Sequence, residues 1–265
     1  MSRLRRAVSA LCLGLAAAGP AGRAVAGDDG SKPGAPAPPP APDGPGKDKD
    51  PKDAAPADAA AVAKLTPEER ARRLAAAMKR VSAALSKVKS VRAGFVQTKR
   101  LEVFGRDVVS RGTLALQVPD LFRWETTEPL RTELVIAGES GVRRRVSRKG
   151  ETTETPFELA KDPVAAATVQ QIFLWTTGDF AKASRSYAIE LVSEAPLVVL
   201  AKPSDERIGK VVRSVEVEFS PEPVRLKRVT LTEQSGAASV IAFHDVAHDP
   251  ALPRELFALT RPDGK

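Results

Sequence analysis

The stretch that decides the fold is residues 90–129, which read SVRAGFVQTKRLEVFGRDVVSRGTLALQVPDLFRWETTEP. Within it the larger side chains of Leu114 and Leu116 alternate with Ala115 and Gln117, which is the period of a strand with one buried face. A Pro-Asp pair then turns the chain into another segment of the same kind. The stretch therefore predicts successive antiparallel strands that share one apolar face.

The residues that follow continue this pattern, with turn residues between the apolar segments. The sequence shows no repeat and no regular alternation of strands with helices, which argues against a parallel sheet. We expect a mainly β protein with helices (α+β): a strongly curved antiparallel sheet or open β-barrel whose concave face is covered by helices. The predicted strands are 91–101, 108–118, 121–126, 131–137, 142–149, 189–193, 197–202, 211–219, 224–232, 240–246 and 256–259.

Two helices have clear start signals. The first follows Thr66, a good N-cap, and Glu69 is placed to complete a capping box. The second runs between Asp162, another capping residue, and Gly178, which can end a helix. Apolar residues recur along the first helix at alternating spacings of four and three, which predicts one buried stripe. That stripe consists of Leu74, Met78, Val81, Leu85 and Val88.

Residues 1–26 have the pattern of a secretory signal peptide. Arginines precede the apolar run Ala7–Ala18, and Ala24-Val25-Ala26 is a small-x-small cleavage pattern. We expect cleavage between Ala26 and Gly27. The apolar run is too short to span a bilayer, so the sequence predicts an exported protein.

Residues 27–63 are rich in Pro, Ala, Gly, Asp and Lys, which predicts a disordered linker because such a segment cannot bury enough apolar surface to order itself. A single domain is expected over residues 64–265. The one cysteine of the chain, Cys12, lies in the predicted signal peptide, and Leu11 before it is too large for a lipid-anchor site. The exported protein would then have neither a disulfide nor a thiol nucleophile.

The chain is basic, with a formal net charge of +8. This favours loose attraction to anionic lipid surfaces or acidic partners, and export argues against nucleic acid as the partner. The densest basic run is Arg143-Arg144-Arg145, followed by Arg148 and Lys149. As a strand it has charge on both faces, which predicts a sheet edge protected from pairing. Contact with anionic lipid or a docking partner is the alternative.

Signals of enzyme activity are thin. The sequence has no G-x-S-x-G elbow, P-loop, GxGxxG or H-E-x-x-H motif, so we expect no catalytic residue, cofactor or metal. One cluster could do acid-base work or bind a metal: His244, Asp245, His248 and Asp249. On an extended strand the two histidines share a face but lie ~13 Å apart, too far for one ion without a bend. An envelope hydrolase that uses this cluster is the least favoured alternative.

Several pieces of the central stretch resemble the bacterial outer-membrane lipoprotein carrier proteins of the LolA type. They are Phe95-x-Gln97, Arg111-Gly112-x-Leu114 and Pro119-Asp120-x-Phe122-Arg123-Trp124. The resemblance continues weakly over residues 66–258. Since no piece is a catalytic signature, the order and spacing of the pieces carry the similarity.

The resemblance implies that the concave face of the sheet lines a hydrophobic cavity for the acyl chains of lipoproteins, and that helices form a lid over it. From the residues alone, the same side chains would be ordinary core. The lining role implied by the family falls on Phe95, Leu114, Leu116, Phe122, Trp124, Leu134 and Ile136, joined by Ile172, Phe173 and Trp175 of the second helix.

One position departs from the family pattern. Known carriers have a basic residue just before the proline of the P-x-x-F-x-W piece, thought to hold the lid shut, but here that residue is Val118. Either Arg123 or another basic residue replaces it, or the lid opens by a different mechanism.

The family resemblance therefore predicts a monomeric periplasmic carrier that shields the acyl chains of lipoproteins, or another lipid cargo. It would receive the cargo from an inner-membrane donor complex and deliver it to an outer-membrane acceptor, touching membrane surfaces transiently. The alternative is a lipoprotein-sensing or structural envelope protein with the same fold. A cavity filled by the protein's own side chains would favour that alternative.

Overall fold

The strands account for most of the structure. The computed structural model describes Pro56, residues 58–101 and residues 106–260, so the predicted signal peptide and most of the predicted linker lie outside the described residues. The strands are β1 (Ser90–Leu101), β2 (Arg106–Gln117), β3 (Leu121–Glu128), β4 (Thr132–Ala137), β5 (Ser140–Val146), β6 (Thr152–Glu158), β7 (Tyr187–Glu194), β8 (Leu197–Pro203), β9 (Val212–Phe219), β10 (Leu226–Glu233) and β11 (Ala238–His248).

These strands form one antiparallel sheet that does not close on itself. Within the described residues its order is β6-β5-β4-β3-β2-β1-β11-β10-β9-β8-β7. The first six strands run outward from β1, the last five run back inward to β11, and β1 and β11 pair in the middle. The crossover between the two edges of the sheet is helical.

Five α-helices accompany the sheet in the described part of the chain: α1 (Ala59–Ala63), α2 (Pro67–Leu85), α3 (Pro163–Thr177), α4 (Phe180–Ser186) and α5 (Glu206–Gly209). The predicted N-cap residues Thr66 and Asp162 are confirmed. The Thr66 hydroxyl accepts the N–H of Glu69 at 3.2 Å, and the Asp162 carboxylate accepts the N–H of Ala165 at 2.9 Å. Gly178 ends α3 in the left-handed conformation, with φ +65°, which glycine adopts without strain.

The larger of two apolar clusters among the described residues explains the curvature of the sheet. It combines the predicted stripe of α2 with inner-face residues of β1 to β4 and of β7 to β10, together with residues of α3 and α4. Because strands near both edges pack against the same helices, the sheet has to wrap around them. The predicted curved, open antiparallel sheet with helices on its concave side is confirmed.

Two predictions about the strands are wrong. Residues 256–259 are not a strand, since Arg254–Phe257 form a short 3-10 helix. The eleventh strand is instead β6, with the sequence TTETPFE, whose residues are mostly exposed. Phe157 is its single large apolar residue, so β6 lacks the alternation that reveals a half-buried strand.

Ordered structure also begins before the predicted domain boundary at residue 64. Val62 of α1 is buried in the core. The Asp58 carboxylate accepts the N–H of Glu194 at 2.9 Å and that of Ala195 at 3.2 Å, and it receives a hydrogen bond from the Ser193 hydroxyl. The last residues of the predicted linker 27–63 are therefore part of the domain, because they cap the turn between β7 and β8.

The prediction that the arginine run forms a protected edge is wrong. Strand β5 is paired on both sides, with β4 and with β6. Arg144 is buried between two carboxylates, at 2.9 Å from Glu133 and 2.7 Å from Glu154. Its guanidinium also donates to the carbonyl oxygens of Ala258 and Leu259. The neutralising acids come from neighbouring strands, which the run itself does not reveal.

The outer face of the sheet carries a second, smaller apolar cluster. Phe257 of the C-terminal segment packs there with Ala115, Val135 and Val142. Together with Arg144, this cluster fastens the C-terminal segment to the convex side of β2, β4 and β5.

Candidate ligand-binding site

The inner-face residues predicted as lipid-lining form two rows across the sheet. Leu114 pairs with Trp124, which pairs with Leu134. In the next row Leu116, Phe122 and Ile136 are paired in the same way. Directly paired residues share a face, so these side chains are brought together on the concave side, where all six are buried.

Phe95 completes this surface from β1. Its ring stacks on that of Trp124, with 3.9 Å between the ring centroids. Phe95 is paired with Gly112 of β2, and a Cβ at Gly112 would collide with the Phe95 ring and with the carbonyl oxygen of Glu125. The glycine of the family-like Arg111-Gly112-x-Leu114 piece therefore makes room for an aromatic ring.

Helix α3 covers this surface with the three remaining predicted residues. Trp175 is almost fully buried, while Ile172 and Phe173 are partly buried against the same core. The rings of Phe173 and Phe122 lie 6.3 Å apart. All ten predicted residues thus belong to one apolar cluster between the sheet and α3.

A pocket of about 470 Å³ lies beside this cluster, at the end of the sheet where α2 ends and β2 turns into β3. Of the ten predicted residues, Ile136 and Phe173 are among the described residues that line it. The others pack against one another as core. The lining residues are Ser86, Val88, Lys89, Val118, Pro119, Asp120, Ile136, Gly138, Leu159, Ala166, Val169, Gln170, Phe173, Leu174, Thr177, Asp179 and Lys182.

Several apolar lining residues were not predicted. Val169 lies one helical turn before Phe173 on α3, so the helical period could have placed both on the same wall. Val88 was predicted as the last residue of the buried stripe, but as core and not as part of a pocket wall. Leu159 begins a short 3-10 helix directly after β6, and no periodic signal in the sequence identifies it.

Polar contacts hold α3 in place at both ends. At its start, the Asp162 carboxylate forms an ion pair with Arg143 at 2.6 Å. Arg143 lies on the inner face of β5, opposite Leu134. At its end, the Ser82 hydroxyl of α2 donates to the carbonyl oxygen of Gly178 at 2.6 Å. Between them, Gln171 donates to the hydroxyl of Tyr187.

The position that is basic in known carriers lies on the pocket wall in this structure, but Val118 occupies it. Arg123, one candidate to replace that residue, is 2.5 Å from Glu133 and 2.8 Å from Glu125. Because it pairs with Val135 in the ladder, Arg123 lies on the outer face and does not contact α3. The arginine that reaches α3 is Arg143, supported by the Phe157 ring 4.2 Å beneath its guanidinium carbon.

The histidine cluster is divided between the two faces of the sheet. His244 pairs with Gly94 and His248 with Val91, with a register shift between these pairs. Since Val91 faces the core and Gly94 does not, the shift places the histidines on opposite faces. Asp249 accepts the backbone N–H of Lys89 at 2.6 Å. Within residues 58–101 and 106–260, no group of three or more His, Cys, Asp or Glu residues could hold a metal ion.

The ionisable groups near the core are adapted to burial. Burial raises the pKa of Tyr187, beneath α3, although its hydrogen bond with Gln171 acts in the opposite direction. Burial lowers the pKa of His248, and the nearby Arg225 lowers it further. Both effects favour the neutral forms.

None of the helices in the described ranges has the length and apolar character needed to cross a membrane.

The fold is therefore mainly β, an open antiparallel sheet wrapped around a crossover helix with a pocket beneath that helix. The comparison with family models identifies the family. Residues 86–260 match the model described as "Outer membrane lipoprotein carrier protein LolA". The chain belongs to the LolA family, which is a family of carrier and binding proteins and not a known enzyme family. This membership suggests binding and carriage of lipoproteins or other lipids.

Solved structures with similarity to this chain include three bacterial proteins. A LolA-superfamily protein from Nitrosomonas europaea is 9% identical, with a TM-score of 0.36, over 69% of this chain and 96% of that chain. A putative outer-membrane lipoprotein-sorting protein domain from Vibrio parahaemolyticus is 10% identical, with a TM-score of 0.35, over 69% and 94%. The lipoprotein LppX from Mycobacterium tuberculosis is 8% identical, with a TM-score of 0.39, over 68% and 98%.

These likenesses carry no argument about the ligand of this chain, because the TM-scores are low. A search of curated proteins found no match. The family assignment therefore rests on the sequence model.

Proposed function

We propose that this protein is a periplasmic carrier that holds an acyl chain of a lipoprotein, or of another lipid, in the pocket beneath α3. It would receive this cargo from an inner-membrane donor complex and release it to an outer-membrane acceptor. The observation that carries the proposal is the position of the pocket. Helix α3 forms one wall of the pocket. The other walls come from the concave side of the sheet and from the end of α2.

The size of the pocket suits part of an acyl chain. Its volume of about 470 Å³ lies within the roughly 300–1,000 Å³ typical of small-molecule sites. Burying a methylene group contributes ~0.8 kcal/mol, so a 16-carbon chain would gain on the order of 10 kcal/mol if it were fully buried. A carrier that must also release its cargo needs a cost that offsets much of this gain.

Displacement of α3 supplies such a cost. Moving the helix away from the sheet would separate Phe173 from Phe122 and uncover the inner-face rows that include Leu116 and Ile136. The acyl chain would then replace the contacts that these side chains make with α3. On this proposal the eight predicted residues that now pack as core would meet the cargo only after α3 has moved.

The experiment is to purify residues 27–265 from a bacterial periplasm, identify bound lipid by mass spectrometry, and titrate the emptied protein with a fluorescent acyl probe. The variant Ala166→Phe places a ring in the pocket wall, so probe binding should weaken at least tenfold while the folded state remains. Ala75→Phe, at an exposed position of α2, is the matched control and should bind as the wild type does.

Equal probe binding by Ala166→Phe and the wild type would contradict the position of the site. A folded protein without bound lipid and without probe binding would contradict the carrier function itself. In that case the lipoprotein-sensing or structural envelope protein becomes the leading proposal. One observation already favours it: most of the inner face is filled by the protein's own side chains.

A further inference from the structure

The exposed side of α2 carries a line of positive charge. From Arg70 to Lys89 the sequence has seven lysines and arginines and no aspartate or glutamate. Arg72 and Lys79 are seven residues apart, and so are Arg80 and Lys87. Seven residues are close to two helical turns, so Arg72 and Lys79 fall on one side of α2, whereas Lys87 lies just beyond the end of the helix. We call the exposed residues Arg72, Lys79, Arg80, Lys87 and Lys89 the basic stripe.

Most charges of the basic stripe have no partner within the protein. In the part of the chain that the structure describes, Arg72, Lys79, Arg80 and Lys87 take part in no ion pair or side-chain hydrogen bond. The neighbouring Arg73 differs, since it is paired with Glu194 at 2.8 Å. The acidic residues of α2 lie in its first turn, so the positive charge is concentrated toward the other end of the helix.

That basic end is where the pocket lies. Ser86, Val88 and Lys89, which follow directly after α2, line the pocket, and Lys182 of α4 lines it as well. Its acidic lining residues are Asp120 and Asp179, and the Asp179 carboxylate already accepts the N–H of Lys182 at the start of α4. The basic stripe therefore leads to the pocket, whose lining includes Lys89.

We propose that the basic stripe docks the protein on the surface of an anionic phospholipid bilayer, with the mouth of the pocket turned toward the membrane. The inference rests on the proposed lipid-binding function, because a bilayer is the source of the acyl chains that the pocket would take. Lysine and arginine are attracted to anionic lipid within about one Debye length, roughly 8 Å at physiological ionic strength. Exposed side chains on a rigid helix can approach a bilayer this closely.

The docking would be electrostatic and reversible. Among the described residues, the large apolar side chain that is exposed is Val109 on β2, so α2 has no apolar anchor to insert into the hydrocarbon. A surface held by charge alone is released as salt screens it. Such an attachment suits a protein that must leave the membrane with its cargo.

The test is flotation of the protein with phosphatidylcholine vesicles that contain or lack phosphatidylglycerol. The triple variant Lys79→Gln/Arg80→Gln/Lys87→Gln removes three charges of the basic stripe. Each contributes roughly a fivefold increase in affinity for anionic lipid, so binding should weaken on the order of 100-fold. Binding of the wild type should fall with added salt and be absent on phosphatidylcholine alone.

The matched control is Arg145→Gln/Arg148→Gln/Lys149→Gln, which removes three exposed charges on β5 and in the turn after it. It changes the net charge equally and should bind anionic vesicles almost as the wild type does. An equal loss in both triple variants would show that net charge alone is responsible and would overturn the proposal. Absence of wild-type binding to anionic vesicles would overturn it too, and capture of an acidic protein instead would then identify the partner.

The acyl-probe titration in solution separates this inference from the function it rests on. Both triple variants should bind the probe as the wild type does, because none of the substituted residues lines the pocket. Loss of vesicle binding with unchanged probe binding supports docking by the basic stripe. If vesicle binding depends on the basic stripe but the protein binds no probe, the docking proposal is supported and the proposed carrier function is contradicted.

Discussion

At the scale of single residues, two glycines in the central strands have different reasons to be glycine. A Cβ at Gly112 would collide with the backbone carbonyl of Glu125 and with the buried ring of Phe95. A Cβ at Gly94 would collide with the His244 ring, whose side chain is 56% exposed and can rotate away. The first contact is with groups that cannot move, and the second is with one that can.

We therefore expect Gly112→Ala to lower the free energy of unfolding by about 3 kcal/mol, the upper end of the cost of overpacking a core. Gly94→Ala should cost less than about 1 kcal/mol, since the His244 side chain can take another rotamer. Chemical denaturation of both variants measures the difference. Equal losses would mean that β2 and β3 can separate locally around Gly112, contrary to the packing described above.

At the scale of one element, the start of α3 is where its attachment can be tested without disturbing the core. Arg143→Gln removes the ion pair with Asp162, and Asp162→Asn removes it while asparagine preserves the helix cap. The side chains of this pair are 26% and 22% exposed. Loss of the pair should therefore destabilise the state in which α3 covers the sheet by about 1 kcal/mol. The acyl probe should then associate up to about fivefold faster with either variant.

The double variant Arg143→Gln/Asp162→Asn is the control for this prediction. If the two residues act through their ion pair, the double variant should associate with the probe no faster than either single variant. Additive effects would show that Arg143 and Asp162 act separately on α3. Arg145→Gln, an exposed position on the same strand, should leave the rate unchanged.

At the scale of the whole molecule, the ionic contacts on the outer face connect stability to pH. Burial alone would raise the pKa of Glu133, but hydrogen bonds from Arg144 and Arg123 outweigh it and hold the pKa below its ordinary value of 4.5. At a pH between the folded-state pKa of Glu133 and its ordinary value in the unfolded chain, the unfolded chain binds a proton that the folded protein does not. This contribution to stability is complete above about pH 4.5 and is lost as the pH falls through the folded-state pKa.

Arg144→Met should therefore reduce the free energy of unfolding by about 3 kcal/mol at neutral pH, the cost of breaking a buried pair. The gap between variant and wild type should narrow as the pH falls below about 4.5, because Glu133 is then neutralised by protonation. Denaturation curves over a pH series provide the measurement. A gap of constant size at all pH values would contradict the role of Glu133, and Arg145→Met serves as the exposed control.

Much of the architecture follows from local rules in the sequence. Thr66, Asp162 and Gly178 are cap residues with specific geometry, and Leu114 and Leu116 show the strand period. What the sequence does not show depends on neighbours distant along the chain. Arg144 can be buried because Glu133 and Glu154, on the adjacent strands, neutralise its charge.

The candidate site was predictable to a similar degree. Strand alternation correctly places residues such as Leu116 and Phe122 on the concave face. It cannot distinguish a side chain that lines a pocket from one that packs as core, since both are apolar and buried. That distinction depends on how closely α3 approaches the sheet, as the pocket wall at Phe173 shows.

The pairing of β1 with β11 has a consequence for how the chain acquires its structure. Every other pair of neighbouring strands in the described sheet is consecutive along the chain, whereas Val91 pairs with His248. Closing a long loop costs more entropy than closing a hairpin, and distant pairings form slowly. During synthesis the strands from β1 to β6 can therefore assemble first, leaving β1 as an unpaired edge that invites aggregation until β11 emerges. A chaperone that binds the partly assembled sheet would therefore have to cover this strand until β11 arrives.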